Sequence, residues 1–336
     1  MQTVLFRMKG LVACLGLTLG VTHAAAQEDS YAQHDLTGPF IEEMNAEFGF
    51  VSESLQSLFA QAQRKQFILD AIARPAERVK QWKDYRPIFI TQSRIDNGLV
   101  FWEKNQVALQ RAEEEYGVPA EIIVSIIGVE TLYGGNTGSH RVIDALSTLA
   151  FDYPPRAPFF RQQLKEYLLL TREEQVDPLS LTGSYAGAMG LPQFMPGSFR
   201  AYAVDFDNDG RIDIWQNPTD AIGSVANYFI KHGWQPGQPV VVQADIKSAA
   251  TAEKGLSDSL DPKITVKQLG KLGWQARSPL DKKQHVTAFR LEAEQGAEYW
   301  IGLANFHAIT RYNRSVMYAM AVNELAEQLV AARKEL

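Results

Sequence analysis

The chain has 336 residues, of which 46% are hydrophobic and 21% charged, and its formal net charge is −6. This composition is typical of a globular protein that is long enough for one large core or for two to three smaller ones. The acidic balance and the lack of a basic stripe argue against nucleic-acid binding and against charge-driven attachment to an acidic membrane surface.

The first 26 residues have the pattern of a secretory signal peptide. Arg7 and Lys9 form a short basic region, an apolar run over 10–21 follows, and small residues end at Ala26. The apolar run is shorter than the roughly 20 residues that a membrane span needs. The sequence therefore predicts export to the periplasm and a mature chain that begins at Gln27. Without Arg7 and Lys9, the 33 basic residues fall to 31 against 39 acidic ones, a net charge of −8.

Cys14 is the only cysteine of the chain. The residues before it resemble a lipoprotein cleavage box, but too few apolar residues separate it from Lys9, and the apolar run continues beyond it. We therefore assign Cys14 to the discarded signal, which disfavours membrane anchoring through a lipid. The mature chain then has no cysteine for a disulfide, a thiol nucleophile or a metal site. The six histidines are not spaced as zinc ligands either.

In chain order, the mature sequence predicts a polar, flexible lead-in over 27–38, then mainly helices, then a small β region and a final helix. The pairs Arg74-Pro75 and Arg86-Pro87 predict breaks between helices, because proline pushes the preceding residue out of the helical region. The clearest helical patterns span 119–132, 157–175, 197–204, 218–232 and 315–332. Short runs rich in Val, Thr and aromatic residues predict strands at 239–244, 263–266, 285–291 and 298–301.

Glu130 ends the apolar helical run that begins at Ile122. Its helical neighbours are Ile126 and Ile127, so its charged form would lose hydration and its pKa would rise, as a general acid at neutral pH requires. The glycines after Tyr133 would end the helix and let the carboxylate face a cleft. A glutamate that simply reaches solvent at a helix end fits this segment equally well.

Residues 183–196 are dense in glycine and aromatic residues. Ser184 and Gln193 are uncharged hydrogen-bonding groups that suit sugar hydroxyls and amides, and Tyr185 and Phe194 offer flat faces to pyranose rings. Glycines allow a backbone to approach a ligand closely. A tight structural turn with its aromatic rings in the core explains the same pattern and stays open.

Several motifs occur together in a fixed order. They are Glu130-Thr131, IDALSTL (143–149), GAMGLPQFMP (187–196), DAIGSVANYF (220–229) and TRYN (310–313). This set resembles the lytic transglycosylases of the B type over nearly the whole mature chain, from about Phe40 to Leu329.

The resemblance implies cleavage of the MurNAc–GlcNAc β-1,4 bond of peptidoglycan, with formation of 1,6-anhydroMurNAc ends. Glu130 would act first as acid and then as base, without the second carboxylate of two-carboxylate glycosidases and without a cofactor. The implied sugar-site residues are Ser184, Gln193, Tyr228 and Asn313. Those implied to line the groove are Tyr85, Phe194, Met195, Tyr312 and Tyr318.

The implied fold is mainly α (α+β), with a lysozyme-like helical core, an additional helical domain and a small β-containing domain. The catalytic core would span 118–237 and the return segment 304–314. The helical domain would combine 39–117 with the C-terminal helix 315–336, and the β domain would span 238–303.

Residues 205–213 match the start of an EF-hand loop. Aspartates occupy positions 1, 3 and 5 (Asp205, Asp207 and Asp209), a glycine takes position 6, and Arg211 would offer a backbone carbonyl at position 7. The family has a lengthened loop of this kind, 205–220 here, which makes Asp220 the candidate closing ligand. The sequence thus predicts a structural Ca²⁺, although Asp220 also suits the first turn of a helix.

Two other functions remain open from the residues alone. A hydrolytic muramidase on the same scaffold would use water in place of the sugar hydroxyl. A non-catalytic, calcium-dependent protein that binds the cell wall would need the loop but not Glu130. In each case the expected partner is the peptidoglycan glycan strand.

Overall fold

The computed structural model describes residues 30–73 and 80–335. The predicted signal peptide and the predicted break at Arg74-Pro75 lie outside the described residues. Among the described helices, none has the length and the apolar character that crossing a membrane requires.

The chain divides into two compact units, 1–64 and 65–336. This boundary falls inside the region predicted as one helical domain, 39–117. The predicted boundaries at 118, 238, 304 and 315 lie within the second unit and stay predictions.

In the first unit, a 3-10 turn leads into two helices, α1 (Thr37–Phe48) and α2 (Ser52–Phe59). The turn begins at Tyr31, whose side chain is buried. The described part of the predicted flexible lead-in is thus folded, because burial of this ring fixes the backbone around it.

The second unit contains most of the described helices. Its first helices are α3 (Gln66–Ala73), α4 (Trp82–Phe89), α5 (Gln92–Lys104), α6 (Gln106–Tyr116), α7 (Ala120–Thr131), α8 (Val142–Phe151) and α9 (Ala157–Glu173). They are followed by α10 (Pro196–Tyr202), α11 (Pro218–Lys231), α12 (Ala249–Ala252), α13 (Val266–Lys271), α14 (Ala304–Tyr312) and α15 (Val316–Lys334).

Helix α7 is buried along its length from Ile122 to Val129. Its run of Ile and Val has no polar face, as expected of a helix that other elements cover on all sides. The helix begins after Pro119 and ends where Leu132 and Tyr133 both adopt left-handed backbone angles, with φ of 53° and 60°. Non-glycine residues rarely hold such angles, so the surrounding contacts must stabilise this end.

Two small sheets accompany the helices. The strands β1 (His140–Arg141) and β2 (Thr182–Gly183) form an antiparallel pair. The other sheet contains β3 (Val241–Ile246), β4 (Ile264–Thr265), β5 (Trp274–Ala276), β6 (His285–Ala293) and β7 (Gly296–Gly302). Its order is β4-β6-β7-β3-β5, and every pair is antiparallel. A separate hydrophobic core lies under it, formed among others by Val242, Leu269, Trp274, Val286 and Ile301.

The prediction of a mainly helical protein with a small β region is confirmed. Strand β5 was not predicted, because its three residues carry no alternating pattern. The predicted break at Arg86-Pro87 is wrong, since α4 continues through Pro87 to Phe89. Pro87 stands in the last turn of the helix, so its missing N–H removes only one hydrogen bond before the helix ends.

Candidate active site

Glu130 stands at the C-terminal end of α7, with buried residues before it and one side open. Its Oε1 accepts a hydrogen bond of 2.6 Å from the hydroxyl of Tyr318 on α15. Burial raises the pKa of Glu130 from 4.5 to about 7, and the Tyr318 hydrogen bond offsets part of this rise by stabilising the charged form. A carboxyl group with this pKa can give up and take back a proton near neutral pH.

The charge of Glu130 acts on three tyrosines, of which Tyr318 is bonded to it directly. Burial raises the pKa of Tyr85, Tyr312 and Tyr318, and the negative charge of Glu130 raises each of them further. All three therefore remain neutral hydroxyl donors at any physiological pH. The hydroxyl of Tyr312 donates to the carbonyl of Pro192 at 2.6 Å, so it fixes the glycine-rich segment next to the acid.

The end of α7 is bonded to the glycine-rich segment. Thr131 is fully buried, and its Oγ1 donates to the carbonyl of Leu191 at 3.0 Å and accepts the N–H of Gly134 at 3.1 Å. The side-chain amide of Gln193 donates to the carbonyls of Thr137 and Gly190 at 3.1 and 2.9 Å. These bonds fix the two loops on either side of Glu130.

A cleft of about 490 Å³ opens in front of the carboxylate. Its walls are the loop after α7 and the start of the glycine-rich segment. The lining residues are Glu130, Gly134, Gly135, Asn136, Thr137, Gly138, Ser139, His140, Ser184, Tyr185 and Gln193. Glu130 is the only carboxylate among these described lining residues. The structure thus brings Glu130, Ser184 and Gln193 together, as the sequence predicts.

The two loops approach closely at Gly138. A Cβ atom on this glycine would lie 2.1 Å from the carbonyl carbon of Gly183, and its φ is +90°. Only glycine fits both constraints, so the width of the cleft depends on this residue.

Phe194, predicted to line the groove, and Tyr228, predicted as a sugar-site residue, are not on the wall of this cleft. Phe194 and Tyr228 are 2% and 6% exposed, and their ring centroids are 5.7 Å apart. Tyr312 packs against both rings, at 5.8 and 4.7 Å. The buried ring of Phe194 has no free face for a sugar at this cleft, and its place along the groove stays a prediction. The cluster instead supports Tyr312 from behind.

The predicted sugar-site residue Asn313 and the other predicted groove residues lie outside the lining of this cleft. Tyr85 is half-buried on α4, Met195 is half-buried at the start of α10, and Asn313 is exposed directly after α14. Tyr318 is 3% exposed and contacts Glu130 rather than open space. It acts on the acid, which the sequence did not indicate.

Sequence reasoning missed the loop that forms one wall of the cleft. Asn136, Thr137, Ser139 and His140 all line it and carry hydrogen-bonding side chains. The available signal was a polar, glycine-rich stretch directly after the candidate acid. Tyr185 lies on the opposite wall and is 43% exposed, which leaves its ring free to stack on a sugar.

The acidic loop forms a second candidate site. Carboxylate oxygens of Asp205, Asp207 and Asp209 lie within 4.8 Å of one another. Asp220 is fully buried, and its two oxygens accept the backbone N–H groups of Phe206 and Asp213 at 2.7 and 2.8 Å. It therefore closes the loop through the backbone.

Neighbouring groups act on the Asp220 carboxylate in opposite directions. Burial raises the pKa of Asp220, the two N–H groups lower it, and the charges of Asp207 and Asp205 raise it again. Oxygen ligands at this spacing suit a hard divalent cation. Arg211 is exposed and contributes no carboxylate, so only its backbone carbonyl could take part.

Comparison with known proteins agrees with this geometry. The family described as "Transglycosylase SLT domain" matches residues 33–327. The chain belongs to this family. It is 45% identical over 316 residues to "Membrane-bound lytic murein transglycosylase B" of Escherichia coli, covering 90% of this chain and 85% of that protein.

Solved structures give the same assignment. The soluble lytic transglycosylase SltB1 of Pseudomonas aeruginosa is 62% identical, with a TM-score of 0.86, over 89% of this chain and 99% of that one. The Escherichia coli lytic transglycosylase Slt35 in complex with calcium is 44% identical, with a TM-score of 0.84, over 94% of this chain and 99% of that one. This transglycosylase is thus a peptidoglycan-cleaving enzyme, and the predicted lysozyme-like fold class is confirmed.

Proposed function

We propose that Glu130 is the single acid and base with which this transglycosylase cleaves the MurNAc–GlcNAc bond. The observation that carries the proposal is a carboxyl group with a pKa of about 7 on a cleft whose described lining holds no second carboxylate. Two-carboxylate glycosidases need a partner at a fixed separation for the nucleophile or for an attacking water.

The chemistry proceeds in two proton transfers. Protonated Glu130 gives its proton to the glycosidic oxygen as the bond from that oxygen to C1 of MurNAc breaks. The resulting carboxylate then takes the proton of the C6 hydroxyl of the same MurNAc, while the C6 oxygen bonds to C1. The product carries a 1,6-anhydro ring, and Glu130 returns to its protonated form. Tyr318 stabilises the charged intermediate state of the carboxylate through its hydrogen bond.

Polar groups on the two walls would hold the sugars. Ser184 and Gln193 face the cleft from the glycine-rich segment, and Asn136 and Thr137 face it from the loop after α7. The exposed ring of Tyr185 would stack on a pyranose face. Asn313 would reach a sugar only outside this cleft.

The first experiment is digestion of purified sacculi by wild-type protein and by Glu130→Gln. We expect the variant to release no soluble muropeptides, because an amide cannot donate the proton. Glu121→Gln is the matched control, since Glu121 lies in the first turn of the same helix and outside the cleft. Unchanged digestion by Glu130→Gln would favour a non-catalytic wall-binding protein instead.

Mass spectrometry of the products separates the two catalytic alternatives. Attack by the C6 hydroxyl gives muropeptides that are one water lighter than hydrolysis products. We expect anhydro ends in nearly all chains, and reducing MurNAc ends would show that water accepts the sugar.

We further propose that residues 205–220 bind Ca²⁺ as a structural ion. The ligands would be the carboxylates of Asp205, Asp207 and Asp209 and the backbone carbonyl of Arg211, with Asp220 closing the loop. The grouping of three carboxylates supports this, and Slt35 has been crystallised with calcium. Calcium would offset the repulsion among these acids and so stabilise the start of α11.

Thermal melting tests the calcium proposal. We expect excess Ca²⁺ to raise the melting temperature above that measured in EDTA, and Asp207→Asn to remove most of this difference. Asp258→Asn removes the same charge from an exposed position of the β region and serves as the control. Identical melting with EDTA and Ca²⁺ would contradict a working metal site.

The export of the protein is proposed from the first 26 residues alone. Fractionation should place the protein in the periplasm with Gln27 as its first residue. A lipid-modified Cys14 at the mature N-terminus would contradict this.

A further inference from the structure

Arg94, the third residue of α5, is a buried cation outside the cleft, with 8% of its surface exposed. Its Nη1 donates to the carbonyls of Ile88 and Phe89 at 2.7 and 2.8 Å, and its Nε donates to the carbonyl of Gly128 at 3.1 Å. No carboxylate in the described part of the chain forms an ion pair with it. The guanidinium also lies over the ring of Phe89, with Cζ 5.2 Å from the ring centroid. A buried charge without a carboxylate partner is costly and needs a structural reason.

The three carbonyls belong to the ends of two helices. Ile88 and Phe89 are the last residues of α4, and Gly128 lies in the last turn of α7. The final carbonyls of a helix carry the negative end of the helix dipole. The carbonyls of Gly128 and Phe89 also accept the N–H groups of Leu132 and Thr91, so Arg94 is a second donor to each of them. A single guanidinium therefore caps both helices and holds their ends next to each other.

Each of these helices carries an active-site residue close to its capped end. Tyr85 lies one turn before Ile88 on α4, and Glu130 lies two residues after Gly128 on α7. The charge of Glu130 also raises the pKa of Tyr85. We propose that Arg94 is a positioning residue of the active site, which holds the end of α4 that follows Tyr85 beside the end of α7 that carries Glu130. This inference rests on the proposed role of Glu130.

Tyr133 fixes the backbone of Arg94 in turn. Its hydroxyl donates to the Arg94 carbonyl at 3.0 Å. Its ring fills a space between α5 and α7, where a Cβ added at Gly98 or at Gly128 would lie 2.5 Å from the hydroxyl oxygen. The left-handed backbone of Tyr133 is what turns the ring back into this space. The backbone of Arg94 is thus bonded to the residue that follows the end of α7, which fixes the position from which its side chain extends.

The proposal has a consequence for the pH dependence of turnover. If the bonds of Arg94 to both helices are lost, the end of α4 can move away from the end of α7, and water can reach Glu130 from that side. Hydration of the carboxylate removes the cause that raises its pKa, so the pKa of Glu130 falls. Because the first step needs protonated Glu130, the alkaline limb of the kcat profile then moves to lower pH. A purely structural role of Arg94 would lower the melting temperature without moving this limb.

The test measures kcat and KM on soluble glycan strands from pH 4 to pH 9, well below the melting temperature of each variant. Lysine keeps the positive charge of Arg94 but lacks the several planar N–H donors of a guanidinium group. Glutamine lacks both the charge and this set of donors. We expect kcat to fall by about 10-fold in Arg94→Lys and about 100-fold in Arg94→Gln, which are typical costs of misplaced catalytic groups. The alkaline limb should move by up to about one pH unit toward acid in the same order.

Arg200→Gln is the control for lost stability. Arg200 donates to Glu166 and Glu173 away from the cleft, so its loss should change melting but not the position of the limb. An alkaline limb that stays in place in both Arg94 variants would overturn the proposal, whether or not kcat falls. If neither variant folds, Tyr133→Phe tests the same unit, because it removes only the hydroxyl that anchors Arg94. Tyr133→Phe should move the alkaline limb of the kcat profile toward acid. A limb at the wild-type pH in this variant would contradict the proposal.

The outcome is separable from the proposed function. Activity of Glu130→Gln would show that Glu130 is not the acid. An inactive Glu130→Gln together with an unmoved limb in the Arg94 variants would reject only the positioning role.

Discussion

Replacing Glu130 with glutamine should abolish catalysis and stabilise the fold in a pH-dependent manner. The pKa of Glu130 is raised by burial to about 7 in the folded state, against 4.5 for an ordinary glutamate. Between these values the folded state binds more protons at this site than the unfolded state does. The wild-type stability therefore falls as the pH rises from 4.5 to 7 and is constant above that range.

The size of the effect follows from the two pKa values. A difference of about 2.5 units corresponds to about 3 kcal/mol of unfolding free energy, since each unit is worth about 1.4 kcal/mol. This is an upper value, because one side of the carboxylate faces the cleft. Glutamine keeps the shape of the side chain and can still accept the hydrogen bond of Tyr318. Because it cannot ionise, the variant does not lose unfolding free energy as the pH rises.

Urea unfolding of both proteins at pH 4 and at pH 8 measures the effect. The variant should exceed wild type by almost nothing at pH 4 and by up to about 3 kcal/mol at pH 8. Glu103→Gln, an exposed substitution on α5, should show no such change with pH. An equal difference between wild type and Glu130→Gln at the two pH values would refute the reasoning.

Three further substitutions test the surroundings of the acid. Tyr318→Phe removes the donor that stabilises charged Glu130, so the alkaline limb of the kcat profile should move up by about one pH unit; a limb that moves down or stays would contradict the assigned role. Gly187→Ala should lower the unfolding free energy by about 1–3 kcal/mol in urea melts, because φ is +84° and the new Cβ would lie 2.5 Å from Leu146. Thr131→Val leaves a buried carbonyl and an N–H unsatisfied and should cost about 1–3 kcal/mol in the same assay, with a matching loss of turnover.

The burial of the helix before Glu130 could be predicted from the sequence because its cause is local. Isoleucine and valine occupy five of the seven positions before Glu130, and Ser125 and Gly128 are small. Whether Glu130 itself faces a cleft or the solvent could not be decided from this run. The donor that tunes the acid could not be predicted. Tyr318 lies 188 residues further along the chain, and only the packing of α15 on α7 brings the two groups together.

The aromatic residues show the limit of pattern reasoning at a site. Phe194 and Tyr185 stand in the same glycine-rich segment, yet one is buried behind the cleft and the other is exposed on it. The composition of the segment does not tell which ring is buried and which is exposed, because both side chains are aromatic and both lie in the same glycine-rich segment. The capping role of Arg94 was hidden for a similar reason, since its partners are backbone carbonyls and leave no pattern of side chains.

The hydrogen bond from Tyr318 to Glu130 also makes the pKa of the acid depend on a nearly complete chain. The acid is on a helix from the first half of the chain, and its donor is on the last described helix, 188 residues further on. Contacts between residues so far apart in sequence form late, because a long loop must be closed first. A chain that ends before α15 can form α7 but lacks the hydroxyl that lowers the pKa of Glu130. The pH range in which this acid works is therefore fixed by the last helix to be synthesised.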